Sequence, residues 1–370
     1  MDPTRVETTY EAWLRQQEIP VVTGYAVENV ASLEIGPWPR LNGLGAAVQL
    51  VGMEGLTGVY VAEIPPGGAL SPERHLYDEL IYVVSGLGAT QVWSGTSEVP
   101  AEDSHFFEWQ KGSLFAPPLN TWHQFSNGSG IEPARLLAVT SAPIVMDLFH
   151  NVDFVFNCDY EFTDRYDGRS DYFVATEQRE LLGKVWMWET NFIADVHTAV
   201  LDAQEARGPG AHVTLYQMSD NVLVGHMAEW PVGRYNKAHH HAGGQILHIL
   251  RSHGYTLMWP QVAGIQPYQS GNSQRVIRIN WQEGSLLSPP SGWFHQHFNT
   301  GPVPARQLAL RYGSKKYGVG FKDLLDREGV LVSVKDGGTQ IEYEDEDPEI
   351  RRQYREELAD MGVEQRMPTT

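Results

Sequence analysis

The sequence is poor in cysteine, in basic residues and in long apolar stretches. Its 370 residues include a single cysteine, Cys158, so no disulfide can form within the chain, and a reducing compartment is the natural environment. Lys and Arg number 27 against 46 Asp and Glu, and the formal net charge of −19 argues against nucleic acid or an anionic membrane as a partner. No signal peptide or membrane span is recognisable, which predicts a cytoplasmic protein.

Glycine and proline are plentiful, with 36 and 22 residues, and the length suffices for two domains that each bury a core. Short runs of β-branched and aromatic residues lie between these turn residues, a pattern typical of strands. The clearest runs are 80–84, 89–93, 246–250 and 255–259. Many such strands predict an all-β fold built from double-sheet barrels of the jelly-roll type.

Helices are expected only near the two ends of the chain. Residues 8–17 have a helical composition, with Trp13 and Leu14 as an apolar patch. Near the other end, Asp347 is placed to cap a charged helix that begins at Pro348 and continues to about residue 361.

An internal repeat organises the sequence. The segment AEIPPG at 62–67 recurs as AEWPVG 166 residues further on, and GSLFAPP at 112–118 recurs as GSLLSPP 172 residues further on. So many matches in one order indicate a tandem duplication, whose offset changes where loops differ in length. The predicted domains are an N-terminal arm (1–40), a first barrel (41–165), a second barrel (166–335) and an acidic C-terminal helix or tail (336–370).

The run HHHAGGQ at 239–245 is the clearest chemical signal. Alternate residues of an extended segment share a face, so His239 and His241 project together while His240 points away. His295, which follows a Pro-Pro turn, supplies a third imidazole, and Gln245 is expected close by. Three such side chains make a half-open metal site.

These residues resemble the two sequence motifs of the cupin superfamily. The first motif is Gly, five residues, His-x-His, three or four residues and Glu; the second is Gly, five residues, Pro-x-Gly, two residues, His, three residues and Asn. The matching residues are Gly233, His239, His241, Gln245, Gly284, Pro290, His295 and Asn299. The resemblance covers both repeats, from about residue 40 to 320, and implies a bicupin: two tandem cupin barrels with short terminal helices.

The chain departs from the cupin pattern at two positions. Gln245 stands where the motif has glutamate, and its amide oxygen is a weak, uncharged ligand. The second-barrel site then resembles the three-histidine centres of cupin dioxygenases, which hold ferrous iron. In the first repeat Glu73 replaces the first histidine, which leaves a candidate second metal set of two histidines and two carboxylates. Its members are Glu73, His75, Glu79 and His123.

The resemblance to gentisate-type dioxygenases, which are bicupins of similar length, implies a ferrous dioxygenase. Its substrates would be dioxygen and a small aromatic, hydroxy-acid or dicarbonyl compound, with Fe(II) as the expected metal and Mn or Zn as alternatives. Candidate pocket or outer-shell residues are His240, His297, Trp293, Phe294 and Arg306, with Trp230 and Met258 as further wall candidates. Arg306 recurs in the first repeat as Arg135, which favours a structural role for both arginines.

Two other functions remain open from the sequence. The metal could serve a non-redox lyase, isomerase, hydrolase or decarboxylase that uses Mn or Zn, or the protein could bind a small ligand without catalysis. No Ser-His-Asp set, Cys-His set or phosphate-binding loop is recognisable. A homo-oligomer is expected from the resemblance to other bicupins.

Overall fold

A computed structural model describes residues 6–100, 102, 104–320 and 331–368. The first repeat contains β1 (Val21–Gly24), β2 (Ala26–Val27), β3 (Gly36–Trp38), β4 (Gly43–Leu50), β5 (Gly58–Ile64), β6 (Glu79–Ser85), β7 (Leu87–Trp93), β8 (His105–Gln110), β9 (Leu114–Phe115), β10 (Trp122–Asn127) and β11 (Ala134–Thr140). The second contains β12 (Arg179–Leu182), β13 (Val185–Glu189), β14 (Phe192–Ile193), β15 (His212–Gln217), β16 (Leu223–Trp230), β17 (Gln245–Arg251), β18 (His253–Pro260), β19 (Ile277–Gln282), β20 (Leu286–Leu287), β21 (Trp293–Asn299) and β22 (Ala305–Tyr312).

Each barrel packs a large sheet against a sheet of three strands. In the first barrel the large sheet has the order β1-β4-β5-β11-β6-β9-β14, with β3 on β4, and the small sheet is β10-β7-β8. In the second barrel the orders are β12-β13-β15-β16-β22-β17-β20-β2 and β19-β18-β21. The prediction of an all-β protein with two tandem jelly-roll barrels is confirmed, and so are the four strand runs read from the sequence.

The helices lie where the sequence placed them, with two more between the barrels. Within the described residues they are α1 (Thr9–Gln16), α2 (Ala142–Phe149), α3 (Val152–Asn157) and α4 (Pro348–Asp360). Thr8 forms a capping box with Glu11 at the start of α1. Asp347 accepts a hydrogen bond from the Glu349 N–H at 3.0 Å, so the predicted start of α4 is confirmed. Among the described residues no helix is both long and apolar enough to span a bilayer.

Two short strands are exchanged between the barrels. Strand β2, from the N-terminal arm, pairs antiparallel with β20 of the second barrel. Strand β14 stands 166 residues further on and pairs in the same way with β9 of the first barrel. The exchange continues beyond the strands, because the Val30 N–H donates to the Gly284 carbonyl and the Val196 N–H donates to the Gly112 carbonyl, each at 2.9 Å. The large sheet of each barrel is therefore completed by a short strand from the first part of the other repeat.

The motif glycines Gly112 and Gly284 make this crossing feasible. Their φ angles are +91° and +90°, which disfavour other residues, and a Cβ atom would lie 2.5 Å and 2.4 Å from side-chain oxygens of Asp195 and Asn29. Both contacted residues belong to the exchanged segments. Glycine is thus required by the backbone angle and by the close approach of the crossing chain.

Arg306 and Arg135 hold the exchanged segments in place. Arg306 donates to the Val196 carbonyl at 2.8 Å and pairs with Glu229 at 3.2 Å. Arg135 donates to the Ala31 carbonyl at 2.7 Å and pairs with Glu63 at 2.7 Å. The suggestion that Arg306 lies in the substrate pocket is therefore corrected: its guanidinium is occupied at the crossing between barrels. The predicted domain boundaries stay predictions.

Candidate metal centres

The predicted histidines of the second barrel meet at one point. The segment between β16 and β17 runs beside β21, where the His239 N–H donates to the His295 carbonyl at 3.1 Å and the His295 N–H donates back at 2.9 Å. His241 lies two residues further along the same extended segment. One ring nitrogen from each of the three histidines lies within 4.8 Å of the others. This spacing fits a shared cation.

Backbone carbonyls orient all three rings. The Nδ1 atoms of His239, His241 and His295 lie 3.0, 2.6 and 3.1 Å from the carbonyl oxygens of residues 237, 242 and 293. A carbonyl can only accept, so Nδ1 carries the hydrogen and the Nε2 lone pair is available to a metal. The Nε2 atoms of His241 and His295 are buried and lack a hydrogen-bond partner within the described part of the chain. A divalent cation would satisfy these acceptors.

The three imidazoles are held in the neutral form that metal binding requires. Burial lowers the pKa of His295 to about 4. Burial also lowers the pKa of His239 well below its usual value, with Arg207 as the next cause, and it lowers the pKa of His241 likewise, with His295 as the next cause. No proton has to leave these rings near neutral pH.

The site borders a cavity of about 110 Å³, several times the space that one water molecule needs. Its described lining includes the basic residues Lys184, Arg207 and Arg311 and contains no Asp or Glu. The other polar or aromatic lining residues are Gln204, His226, Trp230, Asn236, His239, His241, Gln245, His297 and Gln307. The cavity therefore suits a small anion.

The structure separates the suggested pocket residues into two groups. Gln245, at the start of β17, and His297, on β21, line the cavity. His240 packs its ring edge against Phe294 on the outer side of the segment, with ring centroids 5.1 Å apart, and Phe294 is buried in a cluster with Trp259. Trp293 begins β21 and also lies outside the described lining. Alternation along β21 places Phe294 on the face opposite to His295 and His297.

The first barrel brings its candidate residues together in the same way. Backbone hydrogen bonds join Glu73 to His123 in both directions, at 3.0 and 2.9 Å, and ligand atoms of Glu73, His75 and His123 lie within 4.8 Å of one another. The Glu79 Oε2 atom lies 3.9 Å from His75 Nε2 and 3.7 Å from His123 Nε2. These last three atoms are buried and have no hydrogen-bond partner among the residues described. The set fits a divalent cation with four protein ligands.

Two further side chains hold the first-barrel carboxylates. Arg40 pairs with Glu73 at 2.5 Å, and the Tyr60 hydroxyl donates to Glu79 Oε1 at 2.5 Å. Burial opposes ionisation of Glu73, but Arg40 and the two histidines outweigh it, so the pKa of Glu73 lies below its usual value. Burial, and then the nearby Glu73, raise the pKa of Glu79 to about 8.

Sequence reasoning missed Arg40, Arg207 and His226. The two arginines lie in single 3-10 turns, Pro39–Leu41 and Glu205–Arg207, that precede β4 and β15. They are 167 residues apart, close to the repeat offset of 166. This correspondence could have identified them as a matching pair beside the two sites. His226, in the middle of β16, has no motif around it.

Comparison with solved structures finds oxalate decarboxylase from Bacillus subtilis. A mutant of this enzyme, OxdC, aligns over 79% of this chain and 78% of its own, with 12% sequence identity and a TM-score of 0.49. A second structure, whose description names the Mn(II) centres of the same decarboxylase, aligns over the same shares with 12% identity and a TM-score of 0.48. No protein-family model and no curated protein matches the chain. The likeness concerns the fold alone, and the two tandem jelly-roll barrels are shown by the sheet topology itself.

The prediction of a ferrous dioxygenase was wrong. The similar structures are those of a decarboxylase with Mn(II) centres, which agrees better with the non-redox alternative, and the gentisate-type comparison finds no support. The predictions of Fe(II) and of dioxygen as a substrate depended on it and are withdrawn. The physical reason is that three imidazoles suit zinc as well as iron, so a histidine set alone does not select a metal.

Proposed function

We propose that the protein is a metal-dependent, non-redox bicupin enzyme that acts on a small carboxylate in its second barrel. His239, His241 and His295 would hold zinc or manganese there, with Gln245 beside them. A divalent cation on three neutral imidazoles keeps open coordination positions and polarises an oxygen of the bound substrate. The chemistry would be that of a lyase, a decarboxylase being one example.

The main support for this proposal is that the arginines beside the two sites have different partners. In the first barrel Arg40 pairs with Glu73. The repeat places His239 where Glu73 stands, and Arg207 then has the neutral Gln340 as its side-chain partner, at 3.2 Å. The second barrel thus keeps an arginine beside its site, and no described carboxylate neutralises it.

A substrate carboxylate would supply the missing charge. Burial, and then Arg311, lower the pKa of Arg207 to about 10, so its guanidinium stays charged at neutral pH. Arginine binds carboxylates through a planar pair of N–H donors, and this interaction is strengthened in a partly buried cavity. Arg207 would therefore hold the substrate while the three histidines orient the reacting oxygen.

We further propose a metal in the first barrel on Glu73, His75, Glu79 and His123, with a structural role. Its two carboxylates favour manganese over zinc. All four of these residues are buried, with only 1–7% of their surface exposed. This ion would stabilise the barrel without access to substrate.

Metal content measured by mass spectrometry tests both assignments. We expect about two divalent ions per chain, one lost in His241→Ala and the other lost in His75→Ala. Metal-loaded protein should then convert a member of a panel of C2–C4 carboxylates, oxalate included, without oxygen uptake at an electrode. Oxygen consumption in step with substrate loss, or carboxylate binding without turnover, would refute the proposed chemistry.

A further inference from the structure

Hydrogen bonds behind the cavity fix which nitrogen of His297 carries a hydrogen. Trp281 Nε1 donates to Thr256 Oγ1 at 3.0 Å, and Thr256 Oγ1 lies 2.8 Å from His297 Nδ1. An indole N–H can only donate, so the threonine oxygen accepts there. That oxygen could accept a second bond from an Nδ1–H, but the hydrogen of the buried Thr256 hydroxyl would then have no acceptor among the described residues. Within the described residues, His297 Nδ1 is then the acceptor for the threonine hydroxyl. The neutral ring therefore carries its hydrogen on Nε2, and a protonated ring would do so as well.

This arrangement is the reverse of that in the three metal-site histidines. Those rings carry the hydrogen on Nδ1 and leave the Nε2 lone pair free, whereas His297 presents an N–H donor. His297 stands two residues after His295 on the same strand face and lines the same cavity. It is therefore suited to bind an oxygen atom rather than a cation.

Trp230 lines the same cavity and carries a second donor. Its side chain is 6% exposed, and its Nε1 atom is buried without a hydrogen-bond partner in the described ranges. Its ring lies at 82° to that of His297, with centroids 6.2 Å apart. A buried indole N–H usually has a partner, so a ligand oxygen is the natural one here.

The first barrel shows that these donors are not required by the fold. The repeat places Trp109 and Thr90 at the positions of Trp281 and Thr256, with the same hydrogen bond at 3.0 Å. However, Phe125 and Ile64 stand where His297 and Trp230 would be, and both belong to the apolar core of that barrel. Both barrels therefore have the indole–hydroxyl pair, but only the barrel with the cavity has a histidine and a tryptophan at the two neighbouring positions.

We propose that His297 Nε2–H and Trp230 Nε1–H form a subsite for a second oxygen of the substrate. The substrate class narrows to small carboxylates that carry a further acceptor, such as a hydroxyl, a carbonyl or a second carboxylate. This inference rests on the proposed function, because Arg207 binds the first carboxylate there. It concerns recognition and involves no bond-breaking step.

Histidine ¹⁵N NMR of the metal-free protein tests the hydrogen-bond chain without any substrate. The His297 signals, assigned by their loss in His297→Phe, should show a hydrogen on Nε2 and none on Nδ1. Thr256→Val should allow the hydrogen to occupy either nitrogen of His297. The matched first-barrel variant Thr90→Val should leave it on Nε2. A wild-type His297 with hydrogen on Nδ1 alone would overturn the inference.

Calorimetric binding of glycolate and acetate to zinc-loaded protein tests the subsite. Glycolate should bind about tenfold more tightly than acetate, the effect of one or two hydrogen bonds. His297→Phe should reduce this ratio to near one, and Trp230→Phe should reduce it in part. An unchanged ratio in both variants would refute the subsite and leave the proposed function standing. Failure of both acids and of oxalate to bind the wild type would refute both.

Discussion

At matching positions of the repeat, the first barrel carries Glu73 and Glu79 where the second carries His239 and Gln245. The residues of the first site are buried, include two carboxylates and have Arg40 to balance one of them. The second site is neutral, borders a cavity and has Arg207 without an acidic partner in the described chain. Two substitutions thus distinguish a site that balances its own charges from one in which a ligand would supply the balancing charge.

Replacing the arginine beside each site should reveal the largest difference in stability between the two barrels. Arg40→Leu leaves the Glu73 carboxylate buried and unpaired, which should cost the metal-free protein about 3–5 kcal/mol of unfolding free energy. Arg207→Leu breaks no ion pair with a described residue and should cost under about 1 kcal/mol while abolishing carboxylate binding. Denaturant titration followed by tryptophan fluorescence measures both. Equal losses of stability would contradict the contrast.

Metal affinity should depend on pH in the first barrel and hardly at all in the second. Because the pKa of Glu79 is about 8, a metal must displace its proton below that pH, and affinity should rise by up to about tenfold per pH unit from pH 6 to 8. The second-barrel histidines are already unprotonated there, with a pKa of about 4 for His295. Competition with a chromophoric chelator, using His241→Ala and His75→Ala to isolate each site, provides the measurement. A steep rise in the second barrel would argue against this account.

Exchange of the amide and the carboxylate should move the pH dependence between barrels. Gln245→Glu adds a buried negative ligand and should tighten second-barrel metal binding roughly tenfold near pH 8, with a new dependence on pH. Glu79→Gln should weaken first-barrel binding by a similar factor and remove its dependence. The same chelator competition applies. If Gln245→Glu has no effect on affinity, residue 245 does not reach the metal.

A further difference between the barrels concerns α4, which packs against the small sheet of the second barrel. Tyr354 and Leu358 of α4 are buried against Tyr255 and Phe298. Asp347 is fully buried and caps the helix, so Asp347→Ala should lower the unfolding free energy by about 1–2 kcal/mol. Asp360→Ala, at the exposed end of α4, is the control and should change little.

The two barrels and both candidate ligand sets could be predicted from the sequence because they depend on local signals. Alternating strand residues and the His-x-His spacing are readable without tertiary structure, and the spacing brought His239, His241 and His295 to one point as expected. The exchanged strands β2 and β14 were not foreseen, since two residues are too few to show a period. Arg207 was missed because a single 3-10 turn has no pattern of its own. The preference for iron over manganese or zinc found no support, because imidazoles accept several metals.

The exchange of β2 and β14 also bears on what one repeat could do by itself. Cut at the junction, a single repeat would have an unpaired edge at β9 or β20 and a short strand with no sheet to join. Unpaired edges of this kind attract a second chain. Two copies of one repeat could satisfy each other by the same reciprocal exchange about a two-fold axis, which closes a dimer and leaves no edge exposed at the junction. We therefore expect an isolated half of this protein to assemble in pairs, and the fused chain to be the covalent equivalent of such a pair.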